Sequence, residues 1–129
     1  LQITREEFGS RLDFVIDDAS HMYEFSKATF EILFPLVKPG GIYIVEDWAW
    51  NHWSGYQAPD HGWGDKVSPS ELAFELAEAT GSLRAGIEHV EVYPGFLAIE
   101  RSNTKLDGSF SLDAAITRRA SPVYDWFKR

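Results

Sequence analysis

Two short apolar segments that each end in a pair of acids constrain the fold of this 129-residue chain more than any other feature. The first is LDFVIDD, from Leu12 to Asp18, and the second is IYIVED, from Ile42 to Asp47. Between them, apolar residues recur at helical spacing from Met22 to Val37. A strand, a helix and a strand within about 35 residues predict a βαβ unit with parallel strands and a right-handed crossover.

The detail of these segments refines the prediction. Residues 12–17 lack the polar–apolar alternation of a half-exposed strand, which favours a strand covered on both faces. The glycine-rich run Pro39-Gly40-Gly41 is expected to end the helix and turn the chain into a strand at Ile42–Val45.

The second half of the chain predicts a long loop, a helix and a hairpin. Residues 48–67 form an irregular segment, and the helix that follows is expected to end at Gly81. The run HVEVYPGFLAIER reads as two strands joined by a turn at Pro94-Gly95, so it closes one edge of the sheet. The fold class is therefore α/β, with parallel strands and a terminal antiparallel hairpin.

Composition excludes several functions. A net charge of −8 and a pI near 4.9, without a basic patch, argue against nucleic-acid binding. No apolar run reaches the roughly 18 residues of a membrane span. The absence of cysteine rules out thiolate metal sites and is compatible with a cytoplasmic location, which we predict.

The acids predict a metal site. The carboxyl ends of neighbouring parallel strands share one sheet edge, so four carboxylates there would repel one another unless a cation joined them. Mg²⁺ or Mn²⁺ suits an all-oxygen site. If the two motifs align residue for residue, their acid pairs lie side by side, and at most one acid of each pair should be a direct ligand, because adjacent strand residues face opposite ways. We expect Asp18 and Asp47, which lie beyond the last apolar residue by equal steps, with Asp17 and Glu46 as second choices. The alternative is that these acids only cap helices or solvate strand ends.

His21 and the segment 48–67, which is rich in Trp and Tyr and is called the aromatic loop below, each allow two interpretations. His21 follows Asp18 by three residues and would be a general base beside a metal-bound hydroxyl, or else a capping histidine. The loop offers flat rings and a polar group for a sugar or a polyketide-like molecule. It equally fits a satellite hydrophobic cluster. The candidate substrate residues are Trp48, Trp50, His52, Trp53 and Tyr56.

LDFVIDDASH followed by FEILFPLVKPGGIYIVEDW resembles the C-terminal half of a class I S-adenosylmethionine-dependent methyltransferase with a Rossmann-like sheet. IDDASH with IVED is similar, more narrowly, to the metal-dependent sugar O-methyltransferases of the macrocin and mycinamicin type, in which Ala19 is usually glycine. The resemblance implies S-adenosylmethionine as cofactor, Mg²⁺ bound by Asp18 and Asp47, His21 as the base, and a hydroxyl of a sugar or natural product as substrate.

The same resemblance predicts an incomplete domain. The family's glycine-rich cofactor loop and its ribose-binding acid precede the segment matched by LDFVIDD, where this sequence has only Gly9. Residues 1–129 are thus expected to be a partial methyltransferase domain that needs an N-terminal half for full activity, and its cofactor-binding residues are not assigned. The free edge of strand 12–17 is expected to pair with that half or with a second copy.

Two other classes of function remain open from the residues. A non-catalytic carbohydrate-binding or assembly domain of the same fold would bind ligands through its aromatic residues without a cation. A metal-dependent hydrolase would use the same carboxylates and keep an open coordination position for water.

Overall fold

Four strands form one mixed sheet in the order β1-β2-β4-β3. The computed structural model describes residues 6–7, 12–106 and 109–117. β1 and β2 are parallel, whereas β4 runs antiparallel to both of its neighbours. This arrangement confirms the predicted α/β class with its terminal hairpin. The strands are β1 (Leu12–Asp17), β2 (Val37–Glu46), β3 (Ile87–Val92) and β4 (Phe96–Arg101).

Three helices accompany the sheet within the described ranges: α1 (Tyr23–Leu33), α2 (Ser70–Gly81) and α3 (Leu112–Ala115). α1 ends before the predicted Val37, and a 3-10 turn at Phe34–Leu36 follows it. Pro35 explains the difference, because a proline has no backbone N–H and cannot continue the α-helical hydrogen-bond ladder. None of the described helices is long and apolar enough to cross a membrane.

The run Pro39-Gly40-Gly41 was predicted to be a turn before the second strand, and this prediction is wrong, because it lies inside β2. Leu12 pairs with Val37 and Phe14 pairs with Ile42, so residues 38–41 bulge opposite a single β1 residue. Gly40 has a φ of +77° at this bend. A Cβ on Gly41 would lie 2.8 Å from the carbonyl oxygen of Asp13, so only glycine lets the two strands approach here.

The hydrophobic core lies between one face of the sheet and the helices. Phe30 of α1 is central to it, since its ring stacks on Phe34 at 4.5 Å and meets Tyr43 of β2 edge-on at 5.2 Å, between centroids. Other fully buried core residues come from α2 and β4, namely Leu72, Leu76, Leu97 and Ile99.

β1 is covered on one face only in the described structure, contrary to the prediction of burial on both. Val15 packs against the core, whereas Phe14 is 54% exposed and Ile16 is 55% exposed on the opposite face. The reason is that α1 and α2 contribute their buried side chains to a single core on the Val15 side. Side chains of β1 do alternate between the two faces. The sequence does not show this alternation, because the exposed residues Phe14 and Ile16 are apolar as well.

A polar network ties the three helices together beneath the start of α1. The ammonium group of Lys27 lies 3.0 Å from a carboxylate oxygen of Glu75 and 3.0 Å from one of Asp113. The hydroxyl of Tyr23 donates to Glu75 at 2.7 Å. Burial and the neighbouring Glu75 raise the pKa of Tyr23 to about 12. Because Tyr23 begins α1, this network fixes the direction in which the chain leaves the preceding loop.

We predict that Phe30→Ala destabilises the protein by about 3–5 kcal/mol, because a large aromatic side chain leaves a cavity in a packed core. Phe25→Ala on the same helix is the matched control, since Phe25 is 62% exposed. Urea unfolding of the full-length natural protein, followed by circular dichroism, measures both variants. Equal losses of stability would contradict this description of the core.

Candidate metal and catalytic site

The two acid pairs lie where β1 and β2 reach the same edge of the sheet. Asp17 pairs with Val45 rather than with Glu46, so the two similar sequence motifs are offset by one residue in the register. The assumption that they align residue for residue is wrong. Asp18 and Asp47 nevertheless both lie beyond the last paired residues, at the edge where ligands of such sheets bind.

Asp18, His21 and Asp47 converge. Each offers one ligand atom, and these atoms all lie within 4.8 Å of one another. Nε2 of His21 is 3.7 Å from Oδ1 of Asp18. The side chain of Asp18 is 58% exposed and that of His21 is 21% exposed, so the group is open on the carboxylate side.

The backbone at two of these residues is in the left-handed region, with a φ of 55° at His21 and of 51° at Asp47. Such conformations are uncommon in residues other than glycine and concentrate at functional sites. Both residues are held by hydrogen bonds. The N–H of Asp47 donates to the carbonyl of Gly95 at 2.8 Å, and the indole N–H of Trp50 donates to the carbonyl of His21 at 2.6 Å.

The two second-choice acids lie outside the convergent group. Asp17 is buried, and the hydroxyl of Tyr43 donates to its Oδ2 at 3.2 Å. Burial raises the pKa of Asp17, and burial together with the charge of Asp17 raises the pKa of Tyr43. Glu46 pairs with Phe96 in the ladder between β2 and β4. Asp17 therefore belongs to the support of the site rather than to its open surface.

The convergent residues fit a hard divalent cation. Ligand atoms on opposite sides of a Mg²⁺ ion are about 4.2 Å apart, so a small side-chain adjustment brings Asp18 and Asp47 around one ion. Their carboxylates suit Mg²⁺ or Mn²⁺ better than an imidazole does. Nδ1 of His21 is buried and has no hydrogen-bond partner in the part of the chain that the structure describes. Because Nδ1 is enclosed, Nε2, the nitrogen that faces Asp18, is the one placed for proton transfer at the open side of the group.

The candidate substrate residues of the aromatic loop differ in how far their side chains are buried. Trp50 is buried, at 3% exposed, whereas Trp53 and Tyr56 are half-buried and His52 is exposed. Trp48 is half-buried, and its indole N–H donates to the carbonyl of Tyr93 at 2.8 Å. The five candidate substrate residues are thus not equivalent, because Trp50 packs inward while the others retain exposed surface.

Trp63 connects the rings of the aromatic loop with His21 of the candidate metal site. It was not among the candidate substrate residues. Its ring centroid is 5.1 Å from that of Trp50, 5.5 Å from that of Tyr56 and 6.4 Å from that of His21. An open cavity of about 280 Å³ lies against the same rings, with Asn51 also in its lining. The signal was present in the sequence, since Trp63 belongs to the same aromatic run.

The loop is fastened at both ends. Oδ1 of Asn51 accepts hydrogen bonds from the hydroxyls of Ser68 and Ser70 at 2.7 Å and 3.0 Å. The N–H of Tyr23 donates to the carbonyl of Val67 at 2.9 Å. These contacts hold the loop against the starts of α1 and α2, next to His21.

Comparison with known proteins gives a consistent family of relatives. No protein-family model matches the chain. It is 35% identical over 80 residues to mycinamicin VI 2''-O-methyltransferase of Micromonospora griseorubida, a match that covers 62% of this chain and 18% of that protein. It is 48% identical over 80 residues to demethylmacrocin O-methyltransferase of Streptomyces fradiae, again over 62% of this chain and 18% of that protein.

Solved structures agree. The chain superimposes on the MycE methyltransferase of the mycinamycin biosynthetic pathway, in complex with Mg and SAH, with a TM-score of 0.60 and 27% identity. The match covers 83% of this chain and 30% of that chain. The resemblance seen in the sequence is confirmed: the chain is similar to natural-product sugar O-methyltransferases and has the fold of the matched part of MycE. It spans about a fifth of the length of these curated relatives, at 18%.

We predict that Tyr43→Phe destabilises the protein by about 1–3 kcal/mol, because it removes the hydroxyl donor from the buried Asp17 and leaves it the backbone N–H of Ala19. Tyr93→Phe is the matched control, since the hydroxyl of Tyr93 donates to Glu91 on the exposed surface. That control should leave stability unchanged within error. Chemical denaturation at pH 7 measures both. A Tyr43→Phe protein as stable as wild type would show that Asp17 does not depend on this contact.

Proposed function

We propose that the natural protein is an S-adenosylmethionine-dependent, Mg²⁺- or Mn²⁺-dependent O-methyltransferase that acts on a sugar hydroxyl of a natural product. The observation that carries this proposal is the convergence of Asp18, His21 and Asp47 within 4.8 Å at the ends of two parallel strands. Support comes from the relatives named above, whose names specify sugar O-methylation, and from the Mg and SAH in the MycE complexes. SAH is what S-adenosylmethionine becomes when its methyl group has left.

Asp18 and Asp47 would hold the cation through their carboxylate oxygens. When bound there, the cation lowers the pKa of an acceptor hydroxyl and fixes its position. The exposure of Asp18 leaves the approach to this position open to a substrate. Asp17, already engaged by Tyr43, stays in the supporting layer.

His21 removes the proton from the acceptor hydroxyl. The hydroxyl oxygen forms a bond to the methyl carbon while the bond from that carbon to the sulfonium sulfur breaks. The electron pair of the broken bond stays on sulfur, and the proton ends on the imidazole of His21. Holding the hydroxyl beside the base supplies much of the rate, because alignment replaces a costly encounter.

The aromatic loop contacts the acceptor. Trp48, Trp53 and Tyr56 retain exposed ring surface, and His52 is fully available, so these side chains suit the faces and hydroxyls of a sugar. Trp50 is buried and supports the loop from within. Among the aromatic residues of the loop, Trp50, Tyr56 and Trp63 line the cavity of about 280 Å³, which has the size of a sugar ring with its substituents.

The remaining contacts involve the edge of the sheet. β1 has a partner on one side only in the described structure, and Phe14 and Ile16 are exposed beside it. We propose that this edge and face pair with the rest of a larger methyltransferase domain that supplies the S-adenosylmethionine site, or with a second copy. We place the enzyme in the cytoplasm, where this methyl donor is made and used.

We predict that Asp18→Asn and Asp47→Asn each weaken Mn²⁺ binding by at least about tenfold, because even groups behind a metal ligand change affinity about 10–100-fold. Electron paramagnetic resonance titration of the full-length natural protein measures free Mn²⁺. Methyl transfer to demethylmacrocin and mycinamicin VI, followed by mass spectrometry, should fall in parallel.

Asp13→Asn is the matched control. Asp13 is an exposed acid of β1, the strand that precedes Asp18, and its carboxylate forms an ion pair with Lys38. It should bind Mn²⁺ as wild type does. Unchanged methyl transfer in excess EDTA would reject the metal role. Sugar binding that needs the aromatic residues but no cation, without methyl transfer, would favour the carbohydrate-binding alternative.

We predict that His21→Ala lowers kcat by about 10²–10⁴-fold, the usual loss for a general base, and leaves the acceptor KM little changed. His89→Ala is the control, since His89 is half exposed on β3 among Glu91 and Glu100, outside the convergent group. Steady-state kinetics with saturating metal measure both. Turnover near the wild-type value in His21→Ala would leave His21 a purely structural role.

A further inference from the structure

The hydrogen bond from Trp50 to the backbone of His21 joins the aromatic loop directly to the candidate base. The indole Nε1 of Trp50 is 2.6 Å from the carbonyl oxygen of His21. This is the peptide unit that follows a residue with a φ of 55°. A non-glycine residue in this conformation costs about 1–3 kcal/mol and persists only where its surroundings hold it.

The geometry limits what else could hold this carbonyl. Trp50 is 3% exposed, so its ring has little freedom to turn away and water has little access to its buried surface. A backbone carbonyl that loses its partner in such a place is destabilised. Because the carbonyl and the side chain of His21 share one Cα, the direction of the carbonyl constrains the direction of the imidazole.

Trp50 is itself fixed on several sides. It begins a 3-10 turn, Trp50–His52, and its carbonyl accepts from the N–H of Trp53 at 3.0 Å. Its ring meets Trp63 edge-on at 5.1 Å and Tyr56 at 5.5 Å, between centroids. The next residue, Asn51, is held by the hydroxyls of Ser68 and Ser70. The donor is therefore held by contacts of its own at its ring and along its backbone.

We propose that Trp50 is a positioning residue whose indole N–H holds His21 in its left-handed conformation and so aims the imidazole at the acceptor hydroxyl. The inference rests on the proposed role of His21 as base. It assigns Trp50 a role different from that of the neighbouring loop aromatics, because Trp50 acts through a backbone carbonyl and they contact the acceptor with their rings.

The test replaces Trp50 in the full-length natural protein with 3-benzothienylalanine, in which sulfur takes the place of the indole N–H and the ring size is kept. We expect kcat with demethylmacrocin to fall about tenfold, the factor that the net strength of one ordinary hydrogen bond allows. The acceptor KM and the Mn²⁺ affinity should stay within about twofold of wild type, since ring and carboxylates are unchanged.

The decisive measurement is a double-mutant cycle. In a His21→Ala background the same replacement should cause no further loss of kcat, because its effect passes through His21. An additional tenfold loss in that background, or a rise in KM with kcat unchanged, would overturn the proposal. So would wild-type kcat in the single variant.

One further variant and an NMR measurement separate folding from positioning. Phe110→Leu weakens the packing around Phe30 and Phe34 far from His21, and should lower stability without lowering kcat below the unfolding temperature. Histidine-labelled NMR spectra of the metal-free protein should show the His21 signals shifted in the benzothienylalanine protein and unshifted in Phe110→Leu. Unshifted His21 signals in both would contradict the proposal. If His21→Ala itself retains full kcat, the proposed role of His21 as base fails, and the positioning role of Trp50 fails with it; loss of methyl transfer in neither acid variant would instead reject the proposed function.

Discussion

The parallel pairing of β1 with β2 is the interaction on which the candidate site depends. It sets Asp17 opposite Val45 and so brings the residues after each strand to one edge. The approach of the two strands is close enough at Gly41 that a single added carbon would collide with Asp13. Because side chains alternate along a strand, a slip by one residue would turn Asp17 outward and break its contact with Tyr43.

This pairing also brings two carboxylates together, and a cation bound between them would offset their repulsion. Two carboxylates about 4 Å apart repel by about 1 kcal/mol in water and by more where the protein excludes water. Asp18 and Asp47 have carboxylate oxygens within 4.8 Å of each other, and His21 lies beside them. The strained backbone at His21 and Asp47 is held by Trp50 and by Gly95, so the loop and the hairpin both keep the acids converged.

Much of this architecture was accessible from sequence, because it follows from local patterns. Acids directly after apolar strands predicted the edge at which Asp18 and Asp47 meet, and their spacing placed His21 beside them. The bulge at Gly40-Gly41 was not accessible, since it depends on how closely β2 approaches Asp13. Nor was the burial of Trp50, because a run of aromatic residues does not reveal which ring points inward. The exposure of Phe14 and Ile16 could not be predicted for a different reason. Apolar residues favour burial, so the sequence does not indicate which face of the strand stays uncovered.

The acids of the site show in the same way what sequence patterns can and cannot predict. Strand alternation predicted that at most one acid of each pair would be a direct ligand, and in the first pair Asp17 is buried against Tyr43 while Asp18 is exposed. It could not predict that the motifs pair with a one-residue offset, because register is set by the bulge and by contacts with β4. Charge and periodicity thus predicted that Asp18 and Asp47 reach one edge of the sheet, and three-dimensional packing decided how each of them is held.

The central claim is that Asp18 and Asp47 form one divalent-metal site beside His21. Crystals of the full-length natural protein grown with Mn²⁺, with anomalous diffraction recorded at the manganese edge, test it most directly. The account predicts one anomalous peak within bonding distance of a carboxylate oxygen of Asp18 and one of Asp47, next to the imidazole of His21. Manganese absent from this edge of the sheet, with both carboxylates free in crystals that contain the ion, would contradict it.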